Sequence, residues 1–266
     1  MASHMFVQSL RLHGPLLRSL IRREIRQRYK GSVLGLGWNL VLPGVLIATY
    51  TFVFRYIFRS GVEDYSLFLA TGMGAWGLFA TGGQVAASSL IANANLIKKV
   101  RFPREIIPLS VIAGNAFTAG ALILVALVLC VALRPIGLSI IMLPVFLVLL
   151  GIFTIGFGLM LSSVNVYFRD VEFLYGALTM PWFFITPILF AFSDLPPAVT
   201  NQAWILRLLH YANPVTPFLF GVQDSMFWGR WPSLIDFCYS LVAAALMLGF
   251  GLKVFRRLEP EMAVEL

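Results

Sequence analysis

Charge is scarce in this chain. Only 12% of its 266 residues are Asp, Glu, Lys or Arg, while 59% are hydrophobic; soluble domains carry about 25% charged residues. A water-soluble fold of this length would need polar surface that the sequence does not hold. Cysteine is nearly absent, and Cys130 and Cys238 both fall inside apolar stretches, where they read as packing thiols. There is no Gly-x-x-x-x-Gly-Lys-Ser/Thr loop, so no nucleotide is cradled by this chain. No His/Cys cluster has metal-ligand spacing, and His13 and His210 stand singly. With no nucleophile and base at a useful spacing either, an enzyme is not expected. None of the long apolar segments has Asp, Glu, Lys or His at its middle. That counts against a proton- or sodium-driven antiporter, which must feel its ion inside the membrane.

What is present begins with an abrupt change of character near residue 31. Over residues 16–30, Leu17, Leu20, Ile21 and Ile25 share one helical face while Arg18, Arg22, Arg26 and Lys30 crowd the other. This is the pattern of a helix in the membrane–water interface, cations at the headgroups and apolar side toward the acyl chains. An uncharged run over 37–54 follows, long enough to cross a bilayer. Charges divide the rest, giving six apolar segments in all, at 36–56, 66–91, 106–133, 136–166, 173–192 and 233–254. Arg134-Pro135-Ile136-Gly137 reads as a tight turn between the third and fourth. Pro181 and Pro187 lie inside the fifth, where proline kinks or breaks a membrane helix.

An even number of spans puts both termini on one side. That arrangement leaves only Arg55, Arg59, Arg134, Arg207 and Arg230 of the 20 Lys and Arg on the other side, so both termini are placed in the cytoplasm. The cations sit in short blocks between apolar spans, which suits anionic lipid and orientation signals and not nucleic acid. The expected fold is an all-α polytopic membrane protein. Residues 1–4 read as an expression remnant, 5–35 as the interface segment and 36–266 as one six-helix domain; no cleavable signal peptide is expected. Within that domain, residues 194–232 do not fit a span. They are broken by Pro196-Pro197, Asn213-Pro214 and Pro217, and they carry Trp204, Trp228 and Trp231. Such a segment reads as a re-entrant hairpin at the outer leaflet or as an external loop on the headgroups.

Four motifs stand out. Arg22-Arg23-Glu24-Ile25-Arg26-Gln27-Arg28-Tyr29-Lys30 is followed by Ser32, Leu34-Gly35, Trp38 and Pro43. The second is Asn93-Ala94-Asn95-Leu96-Ile97-Lys98-Lys99-Val100-Arg101-Phe102-Pro103-Arg104-Glu105-Ile106-Ile107-Pro108. Tyr167-Phe168-Arg169-Asp170-Val171 and Asn213-Pro214-Val215-Thr216 complete the set. Over about residues 16–266 the chain resembles the permease subunits of type-2 ABC exporters, and within them the branch that exports lipid-linked polysaccharides: O-antigen, capsule and teichoic acid. One departure is that many relatives carry a basic residue where this chain has Gln223-Asp224. Ala80-Thr81-Gly82-Gly83-Gln84 imitates part of the ATPase signature but lies inside an apolar span, where small-residue packing explains it. Gly151, Gly156 and Gly158 are expected to let the fourth span approach a neighbour.

The resemblance implies a homodimer in a bacterial inner membrane with two separate ATPase subunits, which hold the ATP and Mg that this chain lacks. It makes 93–100 a short cytoplasmic coupling helix, with Pro103 in the first turn of the third span. Leu96, Ile97 and Val100 would enter a groove on the ATPase, rimmed by Lys98, Lys99 and Arg101, with Asn93, Asn95 and Arg104 beside them. Arg22, Arg23, Arg26, Arg28, Tyr29 and Lys30 form the interface helix. Trp38, Tyr50 and Phe54 on the first span, with Trp182, Phe183 and Phe184 on the fifth, are the candidate glycan conduit, since sugar C–H faces stack on rings. Tyr56 and Phe190 extend the same two sets. Pro187, Asn213 and Pro214 form the candidate outer gate. Export of a small amphiphile or lipid, and a scaffold that transports nothing, are the competing readings.

Overall fold

The structure is a computed structural model that describes residues 12–100, 102–134 and 137–266. It is helical throughout, with no strand among the described residues. Helix α1 (Gly14–Tyr29) opens with Pro15 in its first turn, where the missing N–H costs nothing. Next come α2 (Trp38–Thr51), which continues into one π-helical turn, Phe52–Ile57, and α3 (Tyr65–Ala92). The short α4 (Ala94–Lys99) precedes α5 (Ile106–Leu133), α6 (Met142–Tyr167) and α7 (Asp170–Ile185). Three shorter helices follow, α8 (Pro197–Thr200), α9 (Ala203–Tyr211) and α10 (Thr216–Met226). The chain closes with α11 (Leu234–Leu258) and α12 (Met262–Glu265).

Among the described residues, four helical stretches are long and apolar enough to cross a membrane: Trp38–Ile57, Ile106–Leu133, Leu138–Tyr167 and Leu234–Leu258. Helix α3 is also 28 residues long, but it is the buried centre of the bundle, with Phe68, Leu69, Phe79 and Leu90 almost wholly enclosed. Helix α6 packs beside it and against α11, while α5 covers another face of α3. The α6–α11 contact is a close backbone approach. A Cβ on Gly251 would overlap the Gly156 carbonyl oxygen, and one on Gly156 would overlap the backbone of Met247. Small residues allow this approach, and dispersion between the two backbones then holds the pair together in an apolar solvent. Gly158 also meets neighbours, Ile112 and Ala86, but Gly151 faces open space, so it is no part of that contact. The 80–84 stretch is likewise a packing feature. A Cβ at Gly82 would stand 2.8 Å from Thr154, and Tyr175 lies over Gly83, its hydroxyl donating to the Ala80 carbonyl at 3.1 Å.

Two hydrogen-bonded clusters show which helix ends lie together. At one end, Arg23 of α1 donates to Asn93, Arg104 donates to the Glu259 carbonyl, and the Tyr167 hydroxyl donates to the Leu258 carbonyl at 2.7 Å. This basic end therefore gathers the end of α3, the approach to α5 and the ends of α6 and α11. At the far end Arg134, just past α5, binds Asp64 at 3.1 Å and the Phe227 carbonyl at 3.2 Å. Its guanidinium also lies 3.9 Å from the centre of the Phe227 ring.

Two expected boundaries move. The fifth apolar segment is helical only to Ile185, because Thr186 turns extended (ψ 135) ahead of Pro187. A residue before proline is pushed out of the α region by the pyrrolidine ring. Pro187 is thus outside the helix, whereas Pro181 is accommodated within it. Pro103 also falls before its helix, and its carbonyl accepts the Ile106 N–H at 3.2 Å.

Candidate functional site

At the basic end, α4 forms the turn between α3 and α5. Asn93 is the joint. Its side-chain amide donates to the Ser89 carbonyl at 2.9 Å and its side-chain oxygen accepts from Arg23. One residue of the expected docking face points the other way: Ile97 is buried against the chain's own Leu90, Ile107 and Phe255 cluster. A six-residue helix has only one turn and a half, so its apolar residues cannot all face outward. The surface left for a partner is Asn95, Lys98, Lys99 and Val100, with Leu96 half-buried beside them. Arg104 is spent on Glu259 within the chain. Arg101 lies outside the described residues.

Helix α1 is more firmly seated than an amphipathic pattern alone requires. Leu20 is buried, and Glu24 lies over Gly114, where an added Cβ would meet its Cγ at 2.9 Å. One turn later Arg28 and Tyr29 both reach the Thr118 hydroxyl, each at 3.2 Å, and Asn39 of α2 donates to the Tyr29 hydroxyl. Steps of four residues on both helices match, so α1 follows α5 for at least one turn. Arg22, Arg23, Arg26 and Lys30 remain exposed and line a shallow cleft of about 900 Å3 with Tyr29 and Phe117. No acidic side chain lines that cleft. Sequence patterning identifies the cationic face but not Thr118, Asn39 or Gly114, which meet it only in three dimensions.

The aromatic set divides. Tyr50 of α2 meets Phe183 of α7 at 6.0 Å between ring centres, and Phe183 also meets Trp76 at 5.8 Å. Phe54 packs beside Tyr65 at 6.2 Å, while Trp38 and Phe184 are exposed. Trp182 is wedged edge-on against Trp76, Phe79 and Phe157. Its indole N–H donates to Asn213 Oδ1 at 2.9 Å, so this ring is joined to a residue expected at the outer gate. Asn213 is buried. It also accepts the Val215 N–H at 3.1 Å and donates to the Thr186 hydroxyl at 2.8 Å. Residue 213 therefore clamps the end of α7 to the turn between α9 and α10. Pro187 is buried in the same region, its carbonyl 3.4 Å from the Gln223 amide nitrogen.

Two polar pairs at the far end have no counterpart in sequence reasoning. His210 Nε2 lies 2.6 Å from Asp236 Oδ1, both side chains nearly inaccessible, and Tyr239 donates to the Tyr211 carbonyl beside them. The partners are 26 residues apart, so neither could be paired from spacing. Arg230 binds Asp224 at 2.8 Å. Burial pushes the Asp224 carboxyl above its ordinary range, and Arg230 pulls it part of the way back. Among the described residues no His, Cys, Asp and Glu group is arranged to hold a metal ion.

Comparison with known proteins gives one family match: the ABC-2 type transporter family model matches residues 15–227. Among characterised proteins the chain is similar to two O-antigen export system permease proteins RfbA from Klebsiella pneumoniae. One is 30% identical over 93% of both chains, and the other 32% identical over 79% of both. It is also 26% identical to the RfbA protein of the same description from Myxococcus xanthus, over 97% of both chains.

Proposed function

Because the chain belongs to the ABC-2 type transporter family, we propose that it is the permease of an exporter carrying a lipid-linked polysaccharide of the O-antigen kind across a bacterial cytoplasmic membrane. Near-full-length kinship with the O-antigen export permeases carries this reading. In it, α3 and α7 complete six spans with the four long apolar stretches, the basic end faces the cytoplasm, and α8 to α10 form the outer re-entrant segment. Helix α3 measures roughly 42 Å at 1.5 Å per residue, more than the roughly 30 Å hydrocarbon core. Helix α7, at roughly 24 Å, is short and is extended by the non-helical stretch after Thr186.

A chain with no nucleotide loop needs an external source of work. The exposed Asn95, Lys98, Lys99 and Val100 surface is where a separate ATPase docks, bringing its ATP and Mg. Two copies of the chain meet around the path, with the Tyr50–Phe183–Trp76 ring set beside it. Rings present broad apolar faces with few fixed polar contacts, so a polymer of repeating sugars slides past them without one deep energy well. The test is a deletion strain complemented with this chain and its cognate ATPase. Surface polysaccharide should return to wild-type amount and length; full restoration by the ATPase alone would refute the assignment.

A further inference from the structure

The far end holds a cavity of about 310 Å3 bordered by Pro187 of the expected outer gate and Phe190 of the expected conduit set. Phe68 of α3, Phe192, Phe220 and Gln223 of α10, Trp228 and Arg230 line it. We propose that this cavity is a binding subsite for one neutral pyranose unit of the emerging polymer, an inference that rests on the permease reading above.

The rings are held in place. Trp228 stands edge-on to Phe227 at 4.8 Å and lies 6.2 Å from Phe68, while Phe192 and Phe220 pair at 5.0 Å. Trp228 keeps 38% of its surface exposed, and the Arg230 guanidinium lies over its ring, so the two together present an apolar edge and hydrogen-bond donors to a sugar. Gln223 is 3% exposed and lines the cavity, and its side-chain amide makes a long 3.4 Å hydrogen bond to the Pro187 carbonyl. At that length the bond is weak, and a hydroxyl can compete for the amide.

Arg230 is placed by the chain reversal after α10. Gly229 takes a φ of +63, and the Arg230 N–H then donates to the Asp224 carbonyl at 2.9 Å. The guanidinium is thereby locked on the Asp224 carboxylate, 5.7 Å from the Trp228 ring centre. Asp224 offsets its charge, so the cavity offers hydrogen-bond donors without a net positive field. That combination suits a polyhydroxylated neutral ring and disfavours a phosphate, which would seek an uncompensated cation. A volume near the small end of the roughly 300–1,000 Å3 range of ligand sites, walled by rings with a few polar groups, fits one sugar unit.

The test uses the chain in complex with its ATPase in lipid nanodiscs. The probe is the set of oligosaccharides released by mild acid from the host's own surface polysaccharide. Saturation-transfer NMR should show binding to the wild-type complex. Trp228→Ala and Gln223→Leu should each weaken it roughly tenfold, with Trp228→Phe close to wild type and all three variants still co-purifying with the ATPase as folded complexes. Equal binding by the Ala and Leu variants overturns the subsite. So does no binding by a wild-type complex that restores export in cells, which leaves the permease reading standing. If the wild-type chain restores no export at all, the permease reading falls and the subsite with it.

Discussion

Replacing Asn213 by Ala should loosen the far end of the bundle by an amount that the structure sets. The side chain makes three hydrogen bonds, to the Trp182 indole, the Thr186 hydroxyl and the Val215 backbone N–H, at 2.9, 2.8 and 3.1 Å. Thr186 keeps the hydrogen bond that its hydroxyl donates to the Trp182 carbonyl at 2.7 Å. The indole and the Val215 N–H lose the acceptor that Asn213 Oδ1 supplies. Each buried donor left unpaired costs about 1–3 kcal/mol, so the substitution should cost about 2–6 kcal/mol. Trp182→Phe removes the indole N–H while keeping a ring against Trp76 and Phe79. In a double-mutant cycle the Trp182→Phe and Asn213→Ala changes should couple by about 0.6–1.5 kcal/mol, the lower figure being typical of interhelical hydrogen bonds in membrane proteins. Equilibrium unfolding in mixed micelles, followed by circular dichroism, supplies the four free energies. Additivity within about 0.3 kcal/mol would mean that the two side chains are not energetically joined, and the clamp would be refuted.

Other consequences are as direct. Lys98→Glu with Lys99→Glu should abolish co-purification with the ATPase without lowering the chain's own stability, because both side chains are exposed; Ile97→Asp should instead unfold the basic end, and pulldown with parallel thermal unfolding separates the two. Cysteine labelling should mark Lys99, Arg169 and Glu265 positions from the cytoplasm and Glu63 and Asp194 positions from outside. Labelling of Lys99→Cys from outside would overturn the six-span arrangement. Gly251→Val should cost at least about 3 kcal/mol, since its branched side chain must displace the Gly156 backbone; a stable, folded variant would contradict the close α6–α11 approach.

Apolar runs bounded by charge made most long helices legible. Residues 106–133 coincide with α5, and 66–91 lies within one residue of α3 at each end. A helix with no charge inside it and charges just beyond it offers little choice of ends. Residues 173–192 were legible in composition but not in conformation, because Pro187 acts on its predecessor through backbone sterics that hydropathy does not record. The exposed and buried faces of α4 were not legible either. Leu96, Ile97 and Val100 have similar hydropathy, and only contact with Ile107 and Phe255 decides that Ile97 turns inward. The same holds for the Trp182–Asn213 clamp and the His210–Asp236 pair. Their members belong to separate elements and lie 31 and 26 residues apart, so no local pattern joins them.

The central claim is that this chain is the path a polysaccharide takes and that the work comes from a separate ATPase. The chain and its ATPase reconstituted in proteoliposomes, with the host's lipid-linked polysaccharide in the outer leaflet and the ATPase facing out, test it most directly. Polymer protected from added glycosidase should accumulate inside only when ATP, the ATPase and this chain are all present. ATP hydrolysis at full rate with no protected polymer, or equal protection in vesicles lacking this chain, would contradict the account.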